Sequence, residues 1–268
     1  GIVLAPSMLT MMNTPSEIIY DSTVYLRVYF SGLIFTFVYN IGSSILRAIG
    51  DSRTPLYILI ACCLVNIILD LVFVVLLHEG VFGVALATLL AQAFSAVLVT
   101  MKLMRSEGML QLKLTKIRFY RTACISQIKL GIPTGIEAIL FAITNIAIQA
   151  SLNSFGTDTT AAWSAYGKLD AIFWMINTAF GISITTFVGQ NYGAGKTERI
   201  KKSVKVCLGM ELVTAFVMVA FLIITREFLF RMFTSDADVI QIGSDMLVLI
   251  TPWYIVYVFI EILAGALR

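Results

Sequence analysis

The chain has 268 residues, of which 59% are hydrophobic and only 13% charged, and its mean hydropathy is +0.90. Soluble domains carry about 45–50% apolar and about 25% charged residues, so this composition excludes an ordinary soluble globular protein, a disordered chain and a nucleic-acid-binding module. The net charge is only +3, so the placement of charge carries the information.

The first apolar piece, 1–12, reads as the end of a span whose beginning is missing. Seven full helical spans follow at about 24–47, 55–77, 82–104, 132–153, 161–188, 203–225 and 240–266. Each reaches about 20 residues, enough to cross a hydrocarbon core of about 30 Å. The chain starts inside an apolar run (GIVLAPSML), ends on another (EILAGALR) and shows no signal peptide, so it reads as a piece of a longer protein. Cys62, Cys63, Cys124 and Cys207 form no CxxC pair, and the only histidine is His78. That argues against zinc, haem or a disulfide framework and for small apolar residues inside helices.

The loops orient the spans. Loop 102–131 holds Lys102, Arg105, Lys113, Lys116, Arg118, Arg121 and Lys129. Loop 189–205 holds Lys196, Arg199, Lys201, Lys202 and Lys205, and loop 47–54 holds Arg47 and Arg53. The alternate connections 13–23, 78–80 and 154–160 offer Glu17, Asp21, Glu79 and Asp158, and only 226–239 mixes signs. Basic loops stay cytoplasmic, so 105–131 and 189–205 are predicted inside. Within the first of these, 117–121 suggests an amphipathic interfacial helix. In the turn 47–55, Gly50 suits a helix C′ position, Thr54 a cap and Pro55 a first helical position. The glycines of GQNYGAGK (189–196) permit a tight turn. They lack the glycine spacing of a phosphate-cradling loop.

Sliding 8–47 onto 229–268, an offset of 221, aligns Ile19/Ile240, Leu26/Leu247, Ile34/Ile255, Ile41/Ile262, Leu46/Leu267 and Arg47/Arg268. A period of that size holds about six spans, implying a parent of about twelve spans in two similar halves, a transporter signature. The chain would then keep a partial third span through the tenth, about eight in all.

The segments LRAIGDSRTP (46–55), NIILD (66–70), GVALAT (83–88), NSFG (153–156) and FVGQNYGAGK (187–196) together resemble the multidrug and toxic compound extrusion (MATE) family, in order and over essentially the whole chain. The resemblance implies an all-α polytopic bundle of two pseudo-symmetric six-helix lobes, and efflux of organic cations driven by inward Na⁺ or H⁺. On that layout, 1–104 is the remainder of the N-terminal lobe. Residues 105–131 form a cytoplasmic inter-lobe linker, and 132–268 hold spans 7 to 10 of the C-terminal lobe.

Ionisable residues inside spans are costly and usually functional. Asp70 lies nine residues before the turn at Glu79 and Thr88 nine after, so the two share a depth of about 13 Å. Asn66 is one helical turn from Asp70. A carboxylate, an amide oxygen and a hydroxyl in one hairpin suit a hard cation such as Na⁺, and the same carboxylate can carry a proton instead. Asn66, Asp70 and Thr88 match the family's cation site residue by residue. The family's further aspartate, on the first span, lies outside this chain. An alternative role for Asn66 and Thr88 is to tie helices together.

In the second half, Tyr166, Asp170, Trp174 and Asn177 share one helical face. Asn145 is depth-matched to Asp170, and Glu137 to Asn177, about the turn near Thr157. Carboxylates beside aromatic faces suit a bulky organic cation, so Asp170, Glu137, Tyr166, Trp174, Asn177 and Asn145 are the predicted substrate residues; packing is the competing role of such a stripe. Glu211 and Glu261 read as gate or structural groups.

The reading is a monomeric multidrug antiporter of the plasma (inner) membrane, taking cationic amphiphiles as substrates and the lipid bilayer as its surroundings. Its expected partners include no nucleic acid. No cofactor is expected, and no metal beyond Na⁺ at Asp70. The choice between Na⁺ and H⁺ stays open. A lipid-linked oligosaccharide flippase of related fold is the alternative, but it needs arginines for pyrophosphate. Away from the cytoplasmic ends of the spans, the basic residues are Arg27 and Lys168, against six carboxylates. An enzyme is not expected: HExxH, GxSxG and a histidine cluster are all missing from the sequence.

Overall fold

The computed structural model describes residues 2–11, 15–107 and 111–267, and among these every regular element is helical. It divides into two compact units, residues 1–118 and 119–268.

Among the described residues, seven helical stretches are long and apolar enough to span a membrane, at 19–48, 53–76, 80–104, 121–153, 157–193, 197–231 and 237–267. They are the seven predicted spans, all starting earlier than predicted and several ending later, though the second stops at 76, one residue short of the predicted 77. Hydropathy marks the stretch that needs hydrocarbon, whereas backbone hydrogen bonding continues into the interface. The apolar piece at the start is helical over Ala5–Met11 (α1).

The first unit holds α1, α2 (Ile19–Ala48), α3 (Arg53–Asp70) and α4 (Gly80–Met104). Without a hydrophobic force between helices in lipid, close backbone approach and hydrogen bonds drive packing. Both operate here. Gly32 and Gly42 of α2 face Gln92 and Val99 of α4: a Cβ at Gly42 would collide with Val99 Cγ2 at 2.7 Å, and one at Gly32 would have to displace the Gln92 amide at 2.6 Å. Leu46, Ile58, Val99 and Leu103 form the buried cluster at one end. Cys62 Sγ donates to Ala91 O at 3.1 Å and Tyr39 Oη to Pro55 O at 3.1 Å. The outer face of α3, with Leu59, Leu64 and Ile68, is exposed, as a lipid-facing surface requires.

In the turn after α2, Gly50 has φ +91° and Asp51 N–H reaches back to Leu46 O, the expected glycine helix end. The start of α3 differs from expectation. The helix begins at Arg53, and Asp51 supplies the acceptors, taking Thr54 N–H at 3.0 Å and the Thr54 hydroxyl at 2.6 Å. These two bonds, the hydroxyl's first, hold the Asp51 carboxyl below its ordinary value, with a smaller contribution from the charge of Lys102.

The second unit holds α5 (Arg121–Asn153), α6 (Thr157–Gly193), α7 (Thr197–Arg231), α8 (Ala237–Ile250) and α9 (Tyr254–Leu267). The amphipathic helix predicted at 117–121 does not form. A 3₁₀ turn at Leu114–Lys116 leads into extended Ile117 and Tyr120, and α5 begins at Arg121. Five residues cannot carry the nucleation cost of a separate helix, and an isoleucine–aromatic run favours extended backbone.

The last predicted span is also not one continuous helix. It breaks at Thr251–Trp253, where Pro252 has no N–H to donate. Helices α6, α7, α8 and α9 form the packed body, with α6 against α9 through Gly181 and Gly265. The Thr185 hydroxyl lies 2.8 Å from both Gly181 O and Gly265 O. No residue of α5 is buried.

Candidate functional site

In the first unit, α3 stops being an α-helix at Asp70 and continues as a π turn over Leu71–Leu76. Leu77 N–H bonds Val72 O, and Glu79 N–H bonds Phe73 O, each at 3.0 Å. Gly83 makes room for this wide turn, since a Cβ there would meet Phe73 Cβ at 2.9 Å. Such π turns recur at functional sites. The sequence analysis missed it: an unbroken apolar run, LVFVVL, carries no mark of helix width.

Asn66 and Asp70 are half-buried on one face of α3. Asp70 Oδ1 and Asn66 Nδ2 are shielded from solvent and have no hydrogen-bond partner among the described residues. Thr88, on α4, donates its hydroxyl proton to Val84 O at 3.0 Å. Its lone pairs stay available as acceptors. An unfilled carboxylate oxygen and a hydroxyl with free lone pairs are the donor set a hard cation takes. Among the described residues, no group of three His, Cys, Asp or Glu side chains forms an alternative metal site.

In the second unit, five of the six predicted substrate residues line one cavity of about 1190 Å³: Glu137, Asn145, Tyr166, Asp170 and Trp174. The sixth, Asn177, is not in its wall. It is 2% exposed and faces the packed interior. At about 100° per residue Asn177 keeps the angular position of Tyr166 and Asp170, but it lies nearly a turn further along α6 than Trp174, the last residue of that helix in the wall, where the helix is packed into the body.

Asp170 is the best-connected side chain of that wall. Trp174 Nε1 donates to Oδ2 at 2.8 Å, Tyr254 Oη donates to Oδ1, and Tyr166 Oη stands 3.5 Å from Oδ1. Tyr166 and Tyr254 hydroxyls are 2.9 Å apart. The ring of Tyr254 stacks on Phe173 at 4.0 Å, and Trp174 stands edge-on to Tyr257 at 4.9 Å and to Phe141 at 6.1 Å. Both oxygens of Asp170 therefore already have donors. Glu137, on exposed α5, carries the cavity's second carboxylate.

Tyr254 and Tyr257 were missed from the sequence. Their signal was Pro252 inside a long apolar run: the break it makes starts α9 at Tyr254. Broken helices commonly carry transporter sites.

The remaining intramembrane charges have other surroundings. Glu211 is 1% exposed, and both of its oxygens lack hydrogen-bond partners among the described residues. The Glu261 side chain fills the space that the missing side chain of Gly181 leaves. Lys168 places its Nζ over the Phe233 ring, 5.2 Å from the centroid.

Comparison with known proteins agrees with this architecture. Along its whole length the chain is 25% identical to "Probable multidrug resistance protein YoeA" of Bacillus subtilis, of which it covers 59%. It is 28% identical, over 90% of its length, to multidrug and toxin extrusion protein 1 of Oryctolagus cuniculus, covering 42% of that protein. Among solved structures, the outward-facing form of a multidrug resistance MATE family transporter superposes with a TM-score of 0.90 at 18% identity. That match covers 99% of this chain and 60% of the other, so the likeness concerns the fold. The chain thus spans well under two thirds of the relatives it matches. The profile of the MatE family matches residues 1–72 and 133–268, and the chain, a multi-pass membrane protein, belongs to that family, the one its motifs resemble.

Proposed function

We propose that the chain forms part of a secondary active multidrug antiporter, exporting organic cations in exchange for inward Na⁺ or H⁺ by alternating access. The cavity of the second unit carries the argument. Its wall combines Trp163, Tyr166, Trp174 and Tyr257 rings with the carboxylates of Asp170 and Glu137 and, among the described residues, contains no lysine or arginine. Aromatic faces attract a desolvated cation, and carboxylates fix its charge. The same wall speaks against the flippase alternative, whose pyrophosphate would need basic groups.

On this reading Asp70 takes the coupling ion, with Asn66 and Thr88 as neutral ligands. A bound cation neutralises the carboxylate. Its release re-creates a charge that favours a different packing, which is the differential interaction a coupled transporter needs. The plasma membrane is the proposed location, with loops 105–131 and 189–205 inside.

The test is efflux from proteoliposomes containing the full-length protein. A Na⁺ or proton gradient is expected to drive export of a cationic dye, and residues 1–268 alone to drive none. Gradient-independent movement, or transport of a pyrophosphate-linked lipid in place of the dye, would overturn the proposal.

A further inference from the structure

We propose that a groove between the end of α6 and the start of α7 binds one anionic phospholipid, with its phosphate on Arg199 and Lys202 and an acyl chain along the apolar wall. The proposal rests on the chain being a membrane protein, and not on what it exports.

The groove has a volume of about 560 Å³. Its contents are sorted by depth. Arg199 and Lys202 lie in the first turns of α7, next to the tight connection at 194–196, where Gly195 has φ +69°. Three residues apart, they share a helical face. Further along the two helices, away from that connection, the wall is Phe180, Ile184, Val206 and Met210. The ion pair at this end joins Lys201 to Glu198 at 3.0 Å. Among the described residues, neither Arg199 nor Lys202 is given to a carboxylate. Ser183 and Ser203 also line the groove, but their hydroxyl protons go to Ala179 O and Ile200 O at 2.7 and 2.8 Å. An anion at the mouth is therefore held by the two basic side chains.

Cationic at the membrane surface and apolar beneath it, the groove matches an amphiphile with a negative head. A soluble anion would leave the wall unfilled, and an organic cation would be repelled at the mouth. A phospholipid with net negative charge meets both ends. Basic residues at a bilayer surface contribute comparable increments each, so losing two is expected to weaken binding about thirtyfold.

The experiment is native mass spectrometry of the full-length protein, titrated with phosphatidylglycerol and, separately, phosphatidylcholine of the same chain length. One phosphatidylglycerol is expected to be retained in preference. Arg199→Gln combined with Lys202→Gln, both exposed positions, should weaken that adduct about thirtyfold and leave phosphatidylcholine unchanged. Met210→Trp should weaken the adduct with both charges intact, by filling the wall. Equal retention of the two lipids, or an adduct indifferent to all these substitutions, would overturn the proposal. So would full displacement by inorganic phosphate, which would make this a free-anion site. Shielding of position 206 from a lipid-soluble quencher in the full-length protein, in phosphatidylcholine bilayers without any anionic lipid, would assign the groove to another segment of the protein and overturn it as well. None of these readouts requires transport, so failure here and failure of the efflux test are separate results.

Discussion

Asp70 and Asp170 are both half-buried aspartates on long apolar helices, one in each unit. Their surroundings are opposite. Asp170 accepts from Trp174 and Tyr254, with Tyr166 at the limit of reach. Asp70 has an Oδ1 shielded from water with no donor among the described residues. The difference shows that burial does not assign a role to an acid in a membrane helix. A carboxylate whose acceptors are filled has its desolvation cost offset by fixed donors, and it holds geometry. Here it locks α6 to the first residue of α9, just after the Pro252 break. A carboxylate with an empty acceptor gains most from a cation.

The strongest way to break this comparison is to neutralise each acid in the full-length protein. Asp70→Asn should abolish ion-coupled efflux in proteoliposomes while expression and thermal unfolding stay close to wild type. Asparagine is always neutral, so loaded and empty states no longer differ. Coupling retained in Asp70→Asn would transfer the ion role to the second unit.

Next in size is Asp170→Ala, expected to lower stability by about 1–3 kcal/mol, because it strands the Tyr254 and Trp174 donors. Thermal unfolding in detergent measures it. Tyr254→Phe should show a smaller loss in the same assay. An unchanged midpoint in both would mean that the aromatic donors do not lock the two helices.

Glu137→Gln sharpens the division within the cavity. With Asp170 engaged, Glu137 is the charge left to meet substrate. Its loss should weaken organic-cation binding about tenfold, roughly one charge pair, and leave stability unchanged because the residue is exposed. Equilibrium dye binding decides the matter. Asn66→Ala and Thr88→Ala should each weaken apparent ion affinity about threefold, since each removes one neutral ligand from the set around Asp70. The ion dependence of efflux reads that change.

The smallest effect belongs outside the spans. Asp51→Asn should cost about 1 kcal/mol or less, the usual scale of a lost helix cap. The Asp51 carboxyl sits below its ordinary value in the folded state. Its contribution is therefore present at neutral pH and is lost as pH falls below about 4. Wild type and Asp51→Asn should converge in stability there.

Much of this was legible in the residues, and the exceptions are instructive. Seven spans could be read because hydrocarbon thickness demands about 20 apolar residues and nothing else in a chain produces such runs repeatedly. The helix end at Gly50 was equally readable, since only a residue without Cβ takes φ +91° without strain. Thr54 was read as a cap and proved a donor to Asp51, because both residues are common around helix starts and only the geometry tells which accepts. The 117–121 segment has an amphipathic pattern, but pattern alone does not supply the length a helix needs.

The acids divide in the same way. The amino-acid order alone determined that Asn66 and Asp70 share a face, that Tyr166, Asp170 and Trp174 follow one another at helical spacing, and that positive charge alternates between loops. Those are properties of one helix or one loop, fixed by a period of 3.6 residues and by the cost of moving charge across a bilayer. Tertiary structure decided that Tyr254 reaches Asp170 from 84 residues away, that Asn177 lies in the packed interior instead of the cavity, and that a π turn follows Asp70. Hydrogen bonds between helices depend on which faces meet and at what register. Those are set by small residues such as Gly181 and Gly265, whose effect is felt only once two backbones come together.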